Sequence, residues 1–377
     1  MDMVHLCEGF GGGAARHVID LATAQAEHGH RVRVIYCPSQ VDLQATSLML
    51  ASPKVTWHSV PMQKKVNFRD VLIIARILRV IIEGGRPQLI HCHCNKAGLM
   101  GVVIAPFLRV PFVYTPHAFF SMQPRLSGIS LAFSLAIERA LSRLATTTLL
   151  LSRKEADFAA KHGFNGGRFR ISANGITPAA LAVMDRLRPT AETLVIGFLG
   201  RLSYQKGTDT LLSAIRAAKG GGFRVEVHGF GPEEPLVQAA VRDCPERISF
   251  HGPANGPGVM ARFDILVMTS RYEGFPYVLL EALAQGLPII TTDVGGVDEM
   301  VADKWNGVIL RGEPVAALIE VLNHLDDYDW PLMGSHSRLL SQRHTAEGMF
   351  RRIMDAYREF WPSNCPRIKN EGTWRGS

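Results

Sequence analysis

Residues 264–286 read DILVMTSRYEGFPYVLLEALAQG. The run at 264–270 is short and apolar, which predicts a buried strand. Gly274 and Pro276 predict a turn, with Pro276 as the first helical residue, and Gly286 predicts the end of the helix. Because a strand that feeds a helix through a short turn is the repeating unit of parallel sheets, this stretch predicts an α/β fold.

Two glutamates lie within this stretch, Glu273 in the turn and Glu281 on the helix. The start of the helix exposes unpaired N–H groups, which favour an anion such as a phosphate. Two carboxylates beside an anion site would be electrostatically unfavourable unless they bind something else, most simply sugar hydroxyls. The pair therefore predicts a ligand with phosphates in its middle and sugars at both ends. The alternative is that each glutamate is an ordinary solvated acid.

The composition is that of a globular protein, with 377 residues, 47% hydrophobic and 20% charged. This length accommodates two domains of roughly 150–200 residues. The first residues lack the pattern of a signal peptide, and no apolar run reaches the ~18 residues of a membrane span. The cysteines form no CxxC motif, which is typical of reduced thiols. We therefore expect a cytoplasmic protein.

Positive charge is concentrated in the first half, where residues 1–188 hold 22 Lys/Arg and 11 Asp/Glu. Nucleic acid is not expected as a partner, because the basic residues are dispersed and have no aromatic stripe beside them. Residues 67–86 and 128–144 form apolar helical patterns that carry arginines, as do helices resting on anionic lipid. Peripheral contact with the inner face of the plasma membrane is therefore one interpretation. The other is a pair of half-buried domain helices.

Strand-like and helical patterns alternate in both halves, with a polar, proline-bearing break at residues 186–190. The alternation predicts two Rossmann-like, doubly wound domains that face each other across a cleft. We expect an N-terminal domain at 1–188 and a second domain at 189–345. We expect residues 346–377 to form a helix that crosses back to the first domain, followed by a tail.

A glycine-rich loop follows the first strand of each half. Residues 200–207, GRLSYQKG, place Arg201 and Lys206 where they can bind a diphosphate, without the spacing of a Walker loop. Residues 8–16, EGFGGGAAR, contain Gly12 and Gly13, which let the backbone approach a ligand closely. The second strand does not end in the acid that recognises a dinucleotide ribose, so nicotinamide binding is not expected. The alternatives are a solvated surface loop and a tight turn without a ligand.

Histidines form a second group of candidates. In His91-Cys92-His93-Cys94, alternation along a continuing strand would send the histidines to one face and the cysteines to the other, so we predict no metal site. His117 follows a strand and is well placed to point into the cleft. The alternative for His117 is a purely structural histidine.

The order and spacing of these strings resemble glycosyltransferase family 4, the retaining nucleotide-sugar transferases of the GT-B fold. The strings are GGGAARHVIDLA (11–22), GHRVRVI (29–35), HCHCNKAG (91–98), TPHAF (115–119), LLSRKEADF (150–158), NGI (174–176), GRLSYQKG (200–207), HGFGPEE (228–234) and SRYEGFPYVLLEALAQGLPIITTDVGGVDEMV (270–301). The resemblance covers nearly the whole chain. It implies two facing Rossmann-like domains, with residues 1–188 on the acceptor side and residues 189–345 binding the donor nucleotide sugar.

The resemblance also implies roles for individual residues. Arg201 and Lys206 would hold the donor diphosphate, Glu281 the nucleotide ribose, and Glu273 and His117 would flank the transferred sugar as catalytic residues. The donor-binding residues implied in this way are Gly12, Gly13, Arg201, Lys206, Gly274, Phe275, Pro276 and Glu281. The resemblance implies neither a metal nor a cofactor beyond the nucleotide-diphosphate sugar itself.

We therefore expect a retaining glycosyltransferase that moves a hexose-type sugar from a nucleotide-diphosphate donor to a glycan or lipid-linked acceptor. Exopolysaccharide, capsule or lipopolysaccharide synthesis in bacteria is the expected setting. One alternative is a nucleotide-sugar epimerase of the same fold, which needs no acceptor. Another is a catalytically silent partner subunit.

Overall fold

The protein contains two parallel β-sheets, each flanked by helices. The computed structural model describes residues 1–63, 67–164, 168–177, 193–254 and 256–360. One sheet is built from strands between residues 2 and 171, and the other from strands between residues 194 and 310. The domain boundary expected at 188/189 and the tail at 361–377 lie outside the described residues.

The first sheet has seven strands in the order β3-β2-β1-β4-β5-β6-β7. Its strands are β1 Asp2–Cys7, β2 Arg31–Tyr36, β3 Thr56–Ser59, β4 Leu89–His93, β5 Phe112–Thr115, β6 Thr147–Leu150 and β7 Phe169–Ile171. After β1 the chain forms β2 and then β3 on one side of β1, and it then crosses to the other side of β1 to form β4. A crevice between the loops that follow β1 and β4 is the usual binding position in such sheets.

The second sheet has six strands in the order β10-β9-β8-β11-β12-β13. Its strands are β8 Leu194–Leu199, β9 Phe223–His228, β10 Ile248–Phe250, β11 Ile265–Met268, β12 Ile289–Thr292 and β13 Gly307–Leu310. Here the order reverses between β8 and β11. The loops after β8 and β11 are those that carry GRLSYQKG and the two glutamates.

Helices cover both faces of each sheet. Their bounds are α1 Gly12–Glu27, α2 Leu43–Leu50, α3 Asp70–Glu83, α4 Cys94–Leu108, α5 Gly128–Leu144, α6 Arg153–Lys161, α7 Thr208–Ala217, α8 Glu234–Asp243, α9 Gly256–Met260, α10 Tyr277–Ala284, α11 Val297–Met300, α12 Pro314–Asn323, α13 Trp330–Ser341 and α14 Ala346–Arg358. Within the described ranges, every helix is too short or too polar to cross a bilayer.

The two faces of the first sheet have separate cores. Helices α1, α2 and α14 contribute to one, and α3, α4 and α5 contribute to the other. Helix α14 comes from the end of the described chain, yet Met349, Phe350, Ile353 and Tyr357 are buried against α1 and β1. The last helix is therefore part of the first domain's core.

Several elements were not predicted from the sequence, chiefly β3, β7, β13, α2 and α13. Strands β3 and β7 lie at the two edges of their sheet and have only four and three residues, so neither carries a long apolar run. Helix α10 begins at Tyr277, one residue later than predicted, and Pro276 lies directly before it in extended conformation.

Gly207 joins the two loops that carry the candidate residues of the second domain. Its φ is +65°, and a Cβ at this position would lie 2.0 Å from the Thr269 carbonyl oxygen. The Thr269 hydroxyl also donates to the Gly207 carbonyl oxygen at 2.9 Å. Only a glycine permits both the left-handed conformation and this close approach.

We expect Gly207→Ala to lower the free energy of unfolding by about 1–3 kcal/mol, because it combines backbone strain with a steric clash. Chemical denaturation measures this change. Gly221→Ala is the matched control, since Gly221 lies in the same domain and its Cβ would have no atom within 4 Å. Equal stability of the two variants would contradict the proposed role of Gly207.

Candidate active site

The N-termini of α1 and α10 lie opposite each other, one from each domain. A Cβ on Gly13, in the first turn of α1, would lie 3.6 Å from the ring of Tyr277, the first residue of α10. Neither helix has an acidic residue in its first turn. Helix N-termini carry partial positive charge and unpaired N–H groups, so this arrangement favours an anion between the domains.

Glu273 is buried at the edge of this region, with 7% of its surface exposed. Its Oε1 accepts from Lys206 Nζ at 2.6 Å and from the Ser270 hydroxyl at 2.8 Å. Both of these hydrogen bonds use Oε1. Oε2 accepts no hydrogen bond from the described residues, which leaves that oxygen for a ligand. The structure therefore joins two of the predicted site residues, Glu273 and Lys206, in one ion pair.

Glu281 faces the first domain. Its Oε1 lies 3.5 Å from Arg16 on α1, and Arg16 also binds Asp20 at 2.7 Å. Burial raises the pKa of Glu281 to about 7, although Arg16 and a hydrogen bond from Gln44 oppose the shift. A carboxyl that titrates this close to neutrality is held in an environment that does not fully stabilise its charge, as is common in functional sites.

The turn between the two glutamates contacts the first domain directly. A Cβ on Gly274 would lie 2.9 Å from the Ala118 amide nitrogen and 2.9 Å from Glu155 Oε1. The carbonyl oxygen of Phe275 accepts from the Asn174 side chain at 2.7 Å. Since Ala118 follows His117, the structure brings this turn and the His117 loop together across the cleft.

The His117 loop has an unusual backbone. His117 and Ala118 have φ values of 56° and 76°, in the left-handed region that residues other than glycine rarely occupy. The Ala118 amide donates to Glu155 Oε1 at 2.6 Å, and the second oxygen of Glu155 accepts from the Leu151 amide. Such strain is typical of functional sites when the surroundings hold it in place. Here the buried Glu155 is part of what holds it.

The remaining predicted residues, Arg201, Gly12 and Pro276, make fewer side-chain contacts with the rest of the site. Arg201 is exposed after β8 and, within the described ranges, has no ion-pair partner. Gly12 has a φ of +56°, and its amide donates to Asp42 at 2.9 Å. Pro276 directly precedes α10. Arg201 is thus the cation of the group that is most available to a ligand.

A chain of buried hydrogen bonds leads to His117. The Gln25 side-chain oxygen lies 2.8 Å from His5 Nε2. His5 Nδ1 lies 3.0 Å from His93 Nε2, and His93 Nδ1 lies 3.0 Å from His117 Nε2. Gln25, His5 and His93 are fully buried.

Two shorter branches lie beside this chain. His91 joins the Tyr357 hydroxyl, at 2.7 Å from Nδ1, to the Thr115 hydroxyl, at 2.8 Å from Nε2. His17 Nδ1 lies 2.7 Å from the Asn174 side-chain oxygen, while the buried Nε2 of His17 has no hydrogen-bond partner among the described residues. The rings of His17 and His117 meet edge to face with centroids 4.8 Å apart.

Burial keeps these five histidines neutral near pH 7. Apolar surroundings disfavour the imidazolium, and this lowers the pKa of His5 and of His17 to about 4. The same cause lowers the pKa of His91, His93 and His117 well below the usual value.

Some histidines are close enough together to hold a metal ion. The groups are His5/His91/His93, His17/His93/His117 and Glu226/His228/His251. In the first two groups both ring nitrogens of His93 already have hydrogen-bonding neighbours, His5 and His117. A hydrogen-bonded histidine network therefore accounts for the positions of these rings without an ion.

Residues 91–94 do not alternate along one strand as expected. Strand β4 ends at His93, and Cys94, with a φ of 68°, begins α4.

Sequence reasoning gave no role to several residues that organise this region. Arg16, His17, Glu155 and Asn174 all belong to strings that carry the family resemblance. Their long-range partners, such as Asn174 for His17 and Phe275 for Asn174, could not be read from the strings themselves.

Two family models match consecutive parts of the chain. Residues 11–180 match the model described as Glycosyltransferase Family 4, and residues 193–327 match the model described as Glycosyl transferases group 1. Together the two matches include every site residue predicted from the sequence.

Among similar proteins, one from Klebsiella pneumoniae described as an uncharacterized 41.2 kDa protein in the cps region is 22% identical over 350 residues. The match covers 88% of this chain and 91% of the relative. Glycogen synthase of Mycobacterium tuberculosis is 28% identical over 346 residues, covering 84% of this chain and 83% of that protein.

Among solved structures, Anabaena HepE in complex with UDP-glucose aligns with a TM-score of 0.78 at 20% identity. The alignment covers 96% of this chain and 100% of that chain. The chain is therefore a glycosyltransferase whose two halves match family 4 and group 1, and it has the GT-B fold.

Proposed function

We propose that the cleft binds a nucleotide-diphosphate sugar and transfers its sugar, with retention of anomeric configuration, to a hydroxyl of a glycan or lipid-linked acceptor. The observation that carries the proposal is the Lys206–Glu273 ion pair beside two facing helix N-termini. It combines positive potential for a diphosphate with an acid that can accept from sugar hydroxyls. The HepE complex with UDP-glucose supports the same class of donor.

The charges suggest how the donor lies. Arg201, Lys206 and the helix N-termini would stabilise the diphosphate, and Glu273 and His117 would flank the transferred sugar. Glu281 would accept from the ribose hydroxyls. Its raised pKa fits this role, because hydroxyl donors would replace part of the solvation that burial removes.

The reaction we propose has no covalent enzyme intermediate. The acceptor oxygen bonds to the anomeric carbon on the face from which the diphosphate leaves, and the bond between that carbon and the diphosphate oxygen breaks. The acceptor proton passes to the leaving diphosphate. The protein contributes position and electrostatic stabilisation, which are large terms in catalysis. We propose that no metal ion is required, because Arg201, Lys206 and the helix N-termini can offset the developing negative charge.

The setting we propose is the synthesis of a bacterial surface polysaccharide, such as capsule, exopolysaccharide or lipopolysaccharide, with a hexose as the transferred sugar. Support comes from the Klebsiella relative, which is described as a protein in the cps region. An enzyme that uses a nucleotide sugar and a lipid-linked acceptor would act in the cytoplasm, at the inner face of the plasma membrane.

We expect Glu273→Ala to lower turnover about 100-fold, the scale of one lost transition-state contact, while the protein stays folded. The measurement is the rate of product formation from the best donor of a nucleotide-sugar panel in the presence of acceptor. Glu246→Ala is the matched control, because Glu246 is an exposed acid in the same domain.

Wild-type turnover in Glu273→Ala would contradict the role of Glu273. Conversion of the donor to an epimer in the absence of acceptor would contradict transfer as the activity. Inversion of the anomeric configuration in the product would contradict the retaining mechanism.

We further propose that the outer surfaces of α3, α4 and α5 contact an anionic membrane. These helices share one face of the first sheet and expose large apolar side chains, with Ile129 90% and Phe133 67% exposed. The other exposed apolar residues on these helices are Val71, Leu72, Ile82, Val103, Phe107 and Leu144. Arg76, Arg79, Arg139 and Arg143 are exposed on α3 and α5, so apolar surface and positive charge coincide.

We expect the double variant Ile129→Ser/Phe133→Ser to lose most of the binding to phosphatidylglycerol-containing vesicles, measured by sedimentation, because it removes apolar surface that would enter the bilayer. Leu332→Ser/Leu339→Ser is the matched control, since both leucines are exposed on α13 in the second domain. Absence of wild-type binding, or equal binding by both double variants, would contradict the membrane surface.

A further inference from the structure

We propose that Gln25 is a positioning residue that sets the tautomer of His117 through His5 and His93. The side-chain oxygen of Gln25 holds the three rings with hydrogen on Nε2, so that His117 presents Nδ1 as a hydrogen-bond acceptor. We call Gln25, His5, His93 and His117 the relay.

The polarity of the relay follows from the chemistry of its members. A neutral imidazole has one N–H and one lone pair, and an amide oxygen can only accept. His5 Nε2 must therefore donate to Gln25, which leaves His5 Nδ1 to accept from His93 Nε2. His93 Nδ1 then accepts from His117 Nε2, and Nδ1 of His117 is left with its lone pair.

The orientation of the Gln25 amide decides this polarity, and its surroundings support the orientation in the structure. The amide nitrogen lies 3.9 Å from Met354 Sδ, a weak acceptor. The Gln25 side chain also forms a hydrogen bond to Tyr357 that opposes the rise of the Tyr357 pKa, the direction expected when an amide N–H donates to the phenol oxygen. Reversing the amide would direct its oxygen at the sulfur and would turn every hydrogen bond of the relay around. His117 would then present an N–H.

His17, whose ring contacts that of His117, is a second histidine whose tautomer the hydrogen bonds define. The Asn174 nitrogen donates to the Phe275 carbonyl, so the Asn174 oxygen accepts from His17 Nδ1. The buried Nε2 of His17 is left with an unpartnered lone pair. The lone pair on His117 would accept from a ligand that donates, such as a sugar hydroxyl, and would disfavour a phosphate oxygen, whereas the Nε2 of His17 is buried beside the His117 ring.

The relay itself rests on geometry, whereas its effect on catalysis rests on the proposed function. The test therefore begins with a readout that needs no substrate. In histidine labelled with ¹⁵N, the long-range ¹H–¹⁵N spectrum distinguishes protonated from unprotonated ring nitrogens. We expect wild-type His5, His93 and His117 all to carry hydrogen on Nε2. Hydrogen on Nδ1 of His117 would overturn the proposal even if no variant folds.

The variant that tests the relay is Gln25→Met, which removes the acceptor and keeps the side-chain length. We expect the Nδ1–H form of His117 to become populated, and turnover to fall about tenfold, the scale of one lost hydrogen bond, with a smaller change in donor KM. Thr115→Val is the matched control, because it disturbs the His91 branch in the same buried region and leaves the relay intact.

An unchanged His117 spectrum in Gln25→Met would overturn the relay, as would an equal change in Thr115→Val. If the spectra follow the expectation but no nucleotide sugar is turned over by the wild type, the relay stands and the proposed function fails. A changed tautomer with undiminished turnover would overturn the catalytic part of the proposal.

Discussion

The Lys206–Glu273 ion pair is the interaction on which the arrangement of the site depends. Lys206 follows β8 and Glu273 follows β11, so the pair joins the two loops at the point where the strand order of the second sheet reverses. Gly207, adjacent to Lys206, brings the same loops into backbone contact at Thr269. The turn at 273–276 is thereby held in one position, from which Gly274 and Phe275 contact the first domain.

Two ion pairs lie in the cleft, Lys206 with Glu273 and Arg16 with Glu281. In the proposed donor site, Arg201 and the helix N-termini would stabilise the diphosphate, while Glu273 and Glu281 would accept from hydroxyls. Glu281 marks one limit of this arrangement, because its buried carboxylate depends on Arg16 from the other domain. Since that contact crosses the cleft, opening of the domains would expose both charges to water. Arg16 and Glu281 therefore connect the two domains across the cleft.

The sequence predicted the alternation of strands and helices and the grouping of the glycine loops with the two glutamates, because these depend on local periodicity and on strand ends that meet at one edge of a sheet. It did not predict the edge strands β3 and β7, which are too short to carry a period. Nor did it predict the histidine relay, because Gln25, His5 and His93 are distant in sequence and meet only when α1, β1 and β4 pack together. Alternation predicts His91 and His93 on one face of the strand, and the structure places their ring centroids 3.9 Å apart.

The most direct test of the donor site is calorimetric titration with uridine, guanosine and adenosine diphosphates. Wild type, Arg201→Ala and Arg242→Ala would be compared, the last being an exposed arginine on α8. We predict that at least one diphosphate binds the wild type, and that Arg201→Ala weakens its binding about tenfold or more, because a charge-assisted hydrogen bond is lost, while Arg242→Ala does not. Failure of all three nucleotides to bind, or equal affinity in wild type and Arg201→Ala, would contradict the account.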